Sequence, residues 1–247
     1  MRSERPRLHD WTAVEPGAFA QFHNAWITGL CRRLNNGGLP GGYGAHSERI
    51  VRPGGPDVLV AETADGPPRR SEGGGVAVAA AATATAPVIA YDESDYRTSR
   101  QNRLVIRGHD RGVVAITEIV SAGNKDSRRR FDRFIEKALH TIDSGTHLSV
   151  VDVHPPGRLD PRGMVDAVWE AASGQDTELP GRAAATIRVD EGNTLYAEPW
   201  AIGRPVTDVP LFLDGDQLVR LPLEEAYGFA MESMPPDERR DLERTLD

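Results

Sequence analysis

The run VVAITEIVSAGNK, Val113 to Lys125, constrains the fold more than any other stretch of the chain. Its first eight positions are apolar except Thr117 and Glu118, the pattern of a strand covered on both faces. A carboxylate in such a strand is costly unless it is paired, protonated or bound to a metal, which makes Glu118 the most informative residue. The strand ends in a polar turn with Ser121, Asn124 and Lys125. A helix from Asp126 or Ser127 to about Ser144 follows, its stripe formed by Phe131, Phe134, Ile135, Ala138, Leu139 and Ile142. Gly145 closes it and Leu148 to Val153 is the next strand. Strand, turn, helix, strand is a crossover, so the strands at 113–120 and 147–153 are expected to be parallel.

Upstream, Phe19, Phe22, His23, Trp26, Ile27, Leu30 and Leu34 form one face of a helix that ends at Asn36-Gly37-Gly38. His23 reads as a packed histidine, and the arm His9-Asp10-Trp11-Thr12 is expected to lay its indole on this helix. Ala45 to Arg52 and Asp57 to Glu62 read as neighbouring strands around Pro53-Gly54-Gly55-Pro56. Asn102 to Gly108 and Gly112 to Val120 read as a hairpin. The order is helix, strand, strand, hairpin strand, helix, strand.

The final third is read as a helix over Pro161 to Ala172, strands at Ala183 to Val189 and Leu195 to Trp200, a pair around Asp214-Gly215-Asp216, and a stretch, 223–246, that ends in a charged helix. The expected organisation is an α/β core at 1–155 with a flexible insertion at about 63–90, and an α+β extension at 156–247 packed on it.

Composition sets limits. The chain has 247 residues, a net charge of −8 and one cysteine, Cys31. That excludes an internal disulfide and a cysteine-based zinc site, and the acidic balance argues against non-specific nucleic-acid binding by the surface as a whole. A basic cluster, Arg128-Arg129-Arg130 with Arg133, adjoins the opening block and is the expected place for any DNA contact. No apolar run reaches the ~20 residues of a membrane span and no apolar leader follows the first residues, so a cytoplasmic protein with no membrane partner is expected. A homo-oligomer is compatible with the sequence. GxSxG, P-loop, strand-linked GxGxxG and HExxH motifs are missing, and His154 after Asp152 gives only a faint His/Asp signal.

Three acids stand near strand ends before the crossover: Glu48, Asp57 and Glu118. Carboxylates converging on a divalent cation, with a lysine to stabilise charge, suit phosphodiester hydrolysis. With Pro56-Asp57 and Glu118 in this order, the chain resembles the common core of PD-(D/E)xK nucleases. That resemblance implies a restriction-endonuclease-like mixed central sheet flanked by helices, Mg²⁺ held by Asp57 and Glu118, and Glu48 as an accessory acid. The lysine normally found two residues after the second acid is replaced by Val120. Lys125, in the turn, is the better-placed substitute; Lys137, on the helix, is the alternative, although about 100° per residue turns it away from the apolar stripe. Lysines moved to the helix occur in related nuclease-like families.

The chain also resembles an uncharacterised bacterial family defined as a domain of unknown function, DUF4058. The resemblance is carried by His9-Asp10-Trp11-Thr12, Phe22-His23, Pro56-Asp57, Asn102-Arg103, Glu118-Ile119-Val120-Ser121 with Gly123-Asn124-Lys125, Gly145 with His147-Leu148, and Pro210-Leu211-Phe212-Leu213. Ala122 stands where that pattern usually has proline. Two functions are therefore expected: a metal-dependent nuclease acting on DNA, or a non-catalytic interaction or nucleic-acid-binding module that keeps the fold. As a purely structural acid, Glu118 would pair with Arg103, Arg107 or Lys125.

Overall fold

The computed structural model describes residues 5–49, 102–110, 112–179 and 181–246. Asp57 and the strand expected at 57–62 lie outside the described residues.

Six strands form one mixed sheet in the order β1 to β6: β1 Tyr43–Arg49, β2 Asn102–Gly108, β3 Gly112–Ile119, β4 His147–Asp152, β5 Ala183–Arg188 and β6 Thr194–Pro199. Every neighbouring pair is antiparallel except β3 and β4, which are parallel. The parallel pair is the one joined by the crossover, here a four-residue helix α2 (Ala122–Lys125) followed by α3 (Arg128–Asp143). Antiparallel neighbours are joined by tight hairpins or longer excursions, whereas parallel ones need the intervening helix. The strands expected at 183–189 and 195–200 extend this same sheet.

Alternation along the strands divides the core in two. On one face α1 (Pro16–Arg33) packs over Ala45, Leu104, Ile106, Ala115, Ile119 and Val151. Its outer side is covered by α5 (Leu223–Glu232), whose Tyr227 is fully buried among Trp11, Phe22 and Trp26. The indole of Trp11 meets Phe22 at 4.2 Å between ring centres, as the arm was expected to do. On the other face α3 and α4 (Met164–Ser173) cover Val105, Ile116, Val120, Leu148 and Val150 with Phe131, Phe134, Ala138, Ile142, Val165 and Val168. Burying a side chain such as Phe134 or Leu148 contributes roughly 1.5–3 kcal/mol, so these stripes fix which way each strand faces.

The last stretch, 223–246, ends in a charged helix, as expected. It divides at Pro235-Pro236 into α5 and α6 (Pro236–Glu243), and α5 is largely a core helix. Proline opens a helix readily but lacks the N–H an interior position needs, so the break falls where the sequence dictates. The pair expected around Asp214 forms a separate two-stranded sheet, β7 (Val209–Phe212) and β8 (Leu218–Leu221). Among the described residues no helix is long and apolar enough to cross a membrane.

Candidate functional site

Glu118 sits one residue from the end of β3, on the face covered by α3, with its side chain 8% exposed. Ile116 and Val120, two residues either side, belong to the α3 core, so the pleat fixes that direction. Lys137 of α3 donates from Nζ to Glu118 Oε2 at 2.8 Å. Its stem runs past Phe134, whose ring centre lies 5.3 Å from Nζ. Lys137 was expected to face solvent; instead a flank position on α3, combined with a long flexible stem, returns the ammonium to the sheet. Glu118 Oε1 is buried and has no hydrogen-bond partner among the described residues. Buried carboxylate oxygens are normally satisfied, so this one is a vacant acceptor beside a cation.

Lys125 does not stand with Glu118 as expected. The N–H and hydroxyl of Ser121 both donate to Asn124 Oδ1 at 2.9 Å, shaping the turn that aims Lys125 across the end of β4. There its Nζ lies 2.6 Å from Asp152 Oδ2 and 2.6 Å from Asp160 Oδ2, and donates to the Pro155 carbonyl at 3.2 Å. Asp152 also accepts from the N–H groups of His154 (3.1 Å) and Met164 (3.0 Å), which ties β4 to the first turn of α4. Burial pushes the Asp152 carboxyl up and the Lys125 ammonium opposes that shift. Two carboxylates on one enclosed ammonium make a clamp that holds the 155–163 loop, and they leave Lys125 engaged away from Glu118.

Two histidines close the other side of this strand end. His23 Nε2 donates to the Ile119 carbonyl at 3.1 Å, leaving Nδ1 buried without a partner among the described residues. His154 packs edge-on against Phe19 at 4.5 Å, and its Nε2 is likewise unpartnered. Burial lowers His23 to about 4, and burial together with the Lys125 and Arg182 charges lowers His154 to about 3. Both rings are therefore neutral near pH 7.

Glu48 lies on β1 and is held by Arg107, whose Nη2 donates to Oε1 at 2.6 Å. Arg103 reaches Glu48 Oε2 only at 3.6 Å. The cluster at the start of α3 is partly self-neutralised: Arg128 pairs with Asp132 at 2.9 Å, and Arg130 pairs with Asp126. Of the residues singled out in the sequence, the described chain brings together Glu118 and Lys137, while Lys125 and Glu48 belong to separate ion-pair groups. Asp57 lies outside the described residues. Among the described residues no group of three or more His, Cys, Asp and Glu side chains is gathered to hold a metal ion. Glu118 Oε1 offers one open carboxylate ligand among the described residues.

Of the clamp acids, Asp160 went unassigned in the sequence and Asp152 was read only as a faint signal with His154, since neither motif nor period links them to Lys125. Arg103 was visible only as a structural partner for Glu118, yet the hairpin turn fixes its place: Leu104 pairs with Thr117, so Arg103 stands opposite Glu118 one step further along. Comparisons of the chain with family models, with curated proteins and with solved structures each give no match.

Proposed function

We propose that the protein is a metal-dependent phosphodiesterase acting on DNA, built on a restriction-endonuclease-like core, with Glu118 and Lys137 at its centre. The order α1, β1, β2, β3, α3, β4, with β3 and β4 parallel and an acid near the end of β3, supports the fold assignment. The observation that carries the reading is the buried Glu118 carboxylate, with Oε2 on Lys137 and Oε1 unpartnered. A structural ion pair of this burial would be expected to satisfy both oxygens.

Glu118 Oε1 and, on the resemblance above, Asp57 would hold a divalent cation. When bound, Mg²⁺ offsets charge on the phosphoryl group and activates water. Lys137 fixes the orientation of Glu118 through Oε2 and adds a positive charge where negative charge develops. Lys125 keeps the strand end in place through its two aspartates rather than facing the reacting phosphate. His23 and His154, being neutral, line the strand end without adding charge.

The test is cleavage of duplex DNA by the full chain in Mg²⁺. Cleavage by wild type, its loss in Glu118→Gln and a drop of about 10²-fold or more in Lys137→Met are expected, the size of losing one charge-stabilising donor. Equal cleavage by wild type and Glu118→Gln overturns the reading.

A further inference from the structure

Among the described residues, the sheet face that carries Glu118 is covered unevenly. Helices α3 and α4 pack over β4 and β5, whereas toward β1 the same face bears His46, Glu48, Arg103 and Arg107. His46 and Arg107 are exposed there. A charged row thus crosses three strands: Glu48 pairs in register with Arg103, and Arg103 stands opposite Glu118, over which Lys137 reaches from α3. The row, among the described residues, holds three cations (Arg103, Arg107, Lys137) and two carboxylates (Glu48, Glu118), one positive charge in excess.

The excess falls on Arg103. Glu48 is committed to Arg107 at 2.6 Å, and Glu118 is committed to Lys137 at 2.8 Å. Among the described residues Arg103 makes only the 3.6 Å approach to Glu48, and its Nε is enclosed without a partner. A guanidinium is a planar fork suited to two oxygens of a phosphate, and Arg103, 24% exposed and held no closer than 3.6 Å by Glu48, can offer its Nη groups to that ligand beside an acid-lysine pair.

We infer that Arg103 is the phosphate-binding residue of the Glu118 site, taking a backbone phosphate of duplex DNA next to the one attacked. This rests on the proposed reading for its substrate class. Glu48 acts as its competitor: in the absence of the anion it holds the guanidinium loosely, and a phosphate displaces it. Arg103 is a positioning residue and takes no part in bond breaking.

The test is fluorescence anisotropy of a short labelled DNA duplex with the full chain in EDTA, where no cleavage occurs. Arg103→Ala is expected to weaken binding about tenfold and to lower the slope of affinity against salt by about one, as loss of one phosphate contact does. Arg103→Lys should keep that slope while binding a few-fold more weakly, since an ammonium replaces the fork. Glu48→Gln, at a partly exposed position that tolerates the change, should tighten binding a few-fold by removing the competitor. Unchanged affinity and slope in Arg103→Ala, no tightening in Glu48→Gln, or no duplex binding by wild type would each overturn the inference. If Arg103 and Glu48 behave as stated while no form of the chain cleaves DNA in Mg²⁺, phosphate binding stands and hydrolysis falls.

Discussion

Lys137 and Glu118 meet across 19 residues of sequence, helix to strand, with Nζ and Oε2 2.8 Å apart and the second carboxylate oxygen left open. Lys125 and Asp152, 27 residues apart, meet at 2.6 Å in the same region, but there the lysine is 8% exposed and shares a second aspartate. The two pairs are similar in chemistry and opposite in consequence: the first has an unmet acceptor, the second has its charges enclosed and engaged.

That contrast predicts different costs of substitution. Lys125→Met leaves two buried carboxylates facing each other and should destabilise the protein by about 3–5 kcal/mol. Asp160→Asn added to it removes one of the two charges while leaving Oδ1 to accept from Gly157, and should recover part of the loss. Urea unfolding of the single and double variants checks both; a cost under about 1 kcal/mol for Lys125→Met would show the clamp to be structurally idle.

Glu118→Gln, by the same reasoning, should cost little or stabilise by up to about 1 kcal/mol, because it replaces a buried charge whose Oε1 has no partner. Lys137 is 28% exposed and can turn to water once the carboxylate is neutral. The midpoint of thermal unfolding should rise or stay level, whereas a clear fall would mark Glu118 as a purely structural acid.

Acid sensitivity should come from the histidines. In the unfolded chain His23 and His154 titrate near 6.5, whereas burial lowers them to about 4 and about 3 in the fold. Below about pH 6.5 the unfolded chain therefore binds more protons, and stability is lost as pH falls toward the folded values while remaining level above 6.5. Each histidine should contribute a slope of about 1.4 kcal/mol per pH unit within that window. Urea unfolding between about pH 5 and 7 should show the slope, and His154→Gln should lower it by one histidine's share; an unchanged slope would count against a neutral buried His154.

Much of the architecture was legible in the sequence because it rests on local period. The hairpin Asn102 to Val120 and the crossover to Val153 follow from alternation, a turn of Asp110 with glycine, and one amphipathic helix. What period could not show is which polar residues meet. A helical wheel turns Lys137 off the stripe, and only the reach of its stem past Phe134 brings it to Glu118. Lys125 looked suited to Glu118 because it is close in sequence, but the acids that hold it arrive from β4 and the loop after it. Likewise, the last third reads as an appendage until β5 is paired with β4.

Gly163 gives a backbone prediction. It has a φ of +92°, and a Cβ there would lie 2.1 Å from the carbonyl oxygen of Gly181. Since Met164 N–H is bonded to Asp152, the loop cannot yield without loosening the clamp. Gly163→Ala should cost more than about 3 kcal/mol by denaturant unfolding; a cost near zero would mean that the 155–163 loop moves freely.

The most direct measurement is calorimetric titration of the full chain with Mn²⁺. Saturable binding by wild type, its loss in Glu118→Gln and its retention in Lys137→Met are expected, because Glu118 Oε1 is the open ligand and Lys137 only orients it. Binding of the same strength in wild type and Glu118→Gln, or none in either, would contradict this.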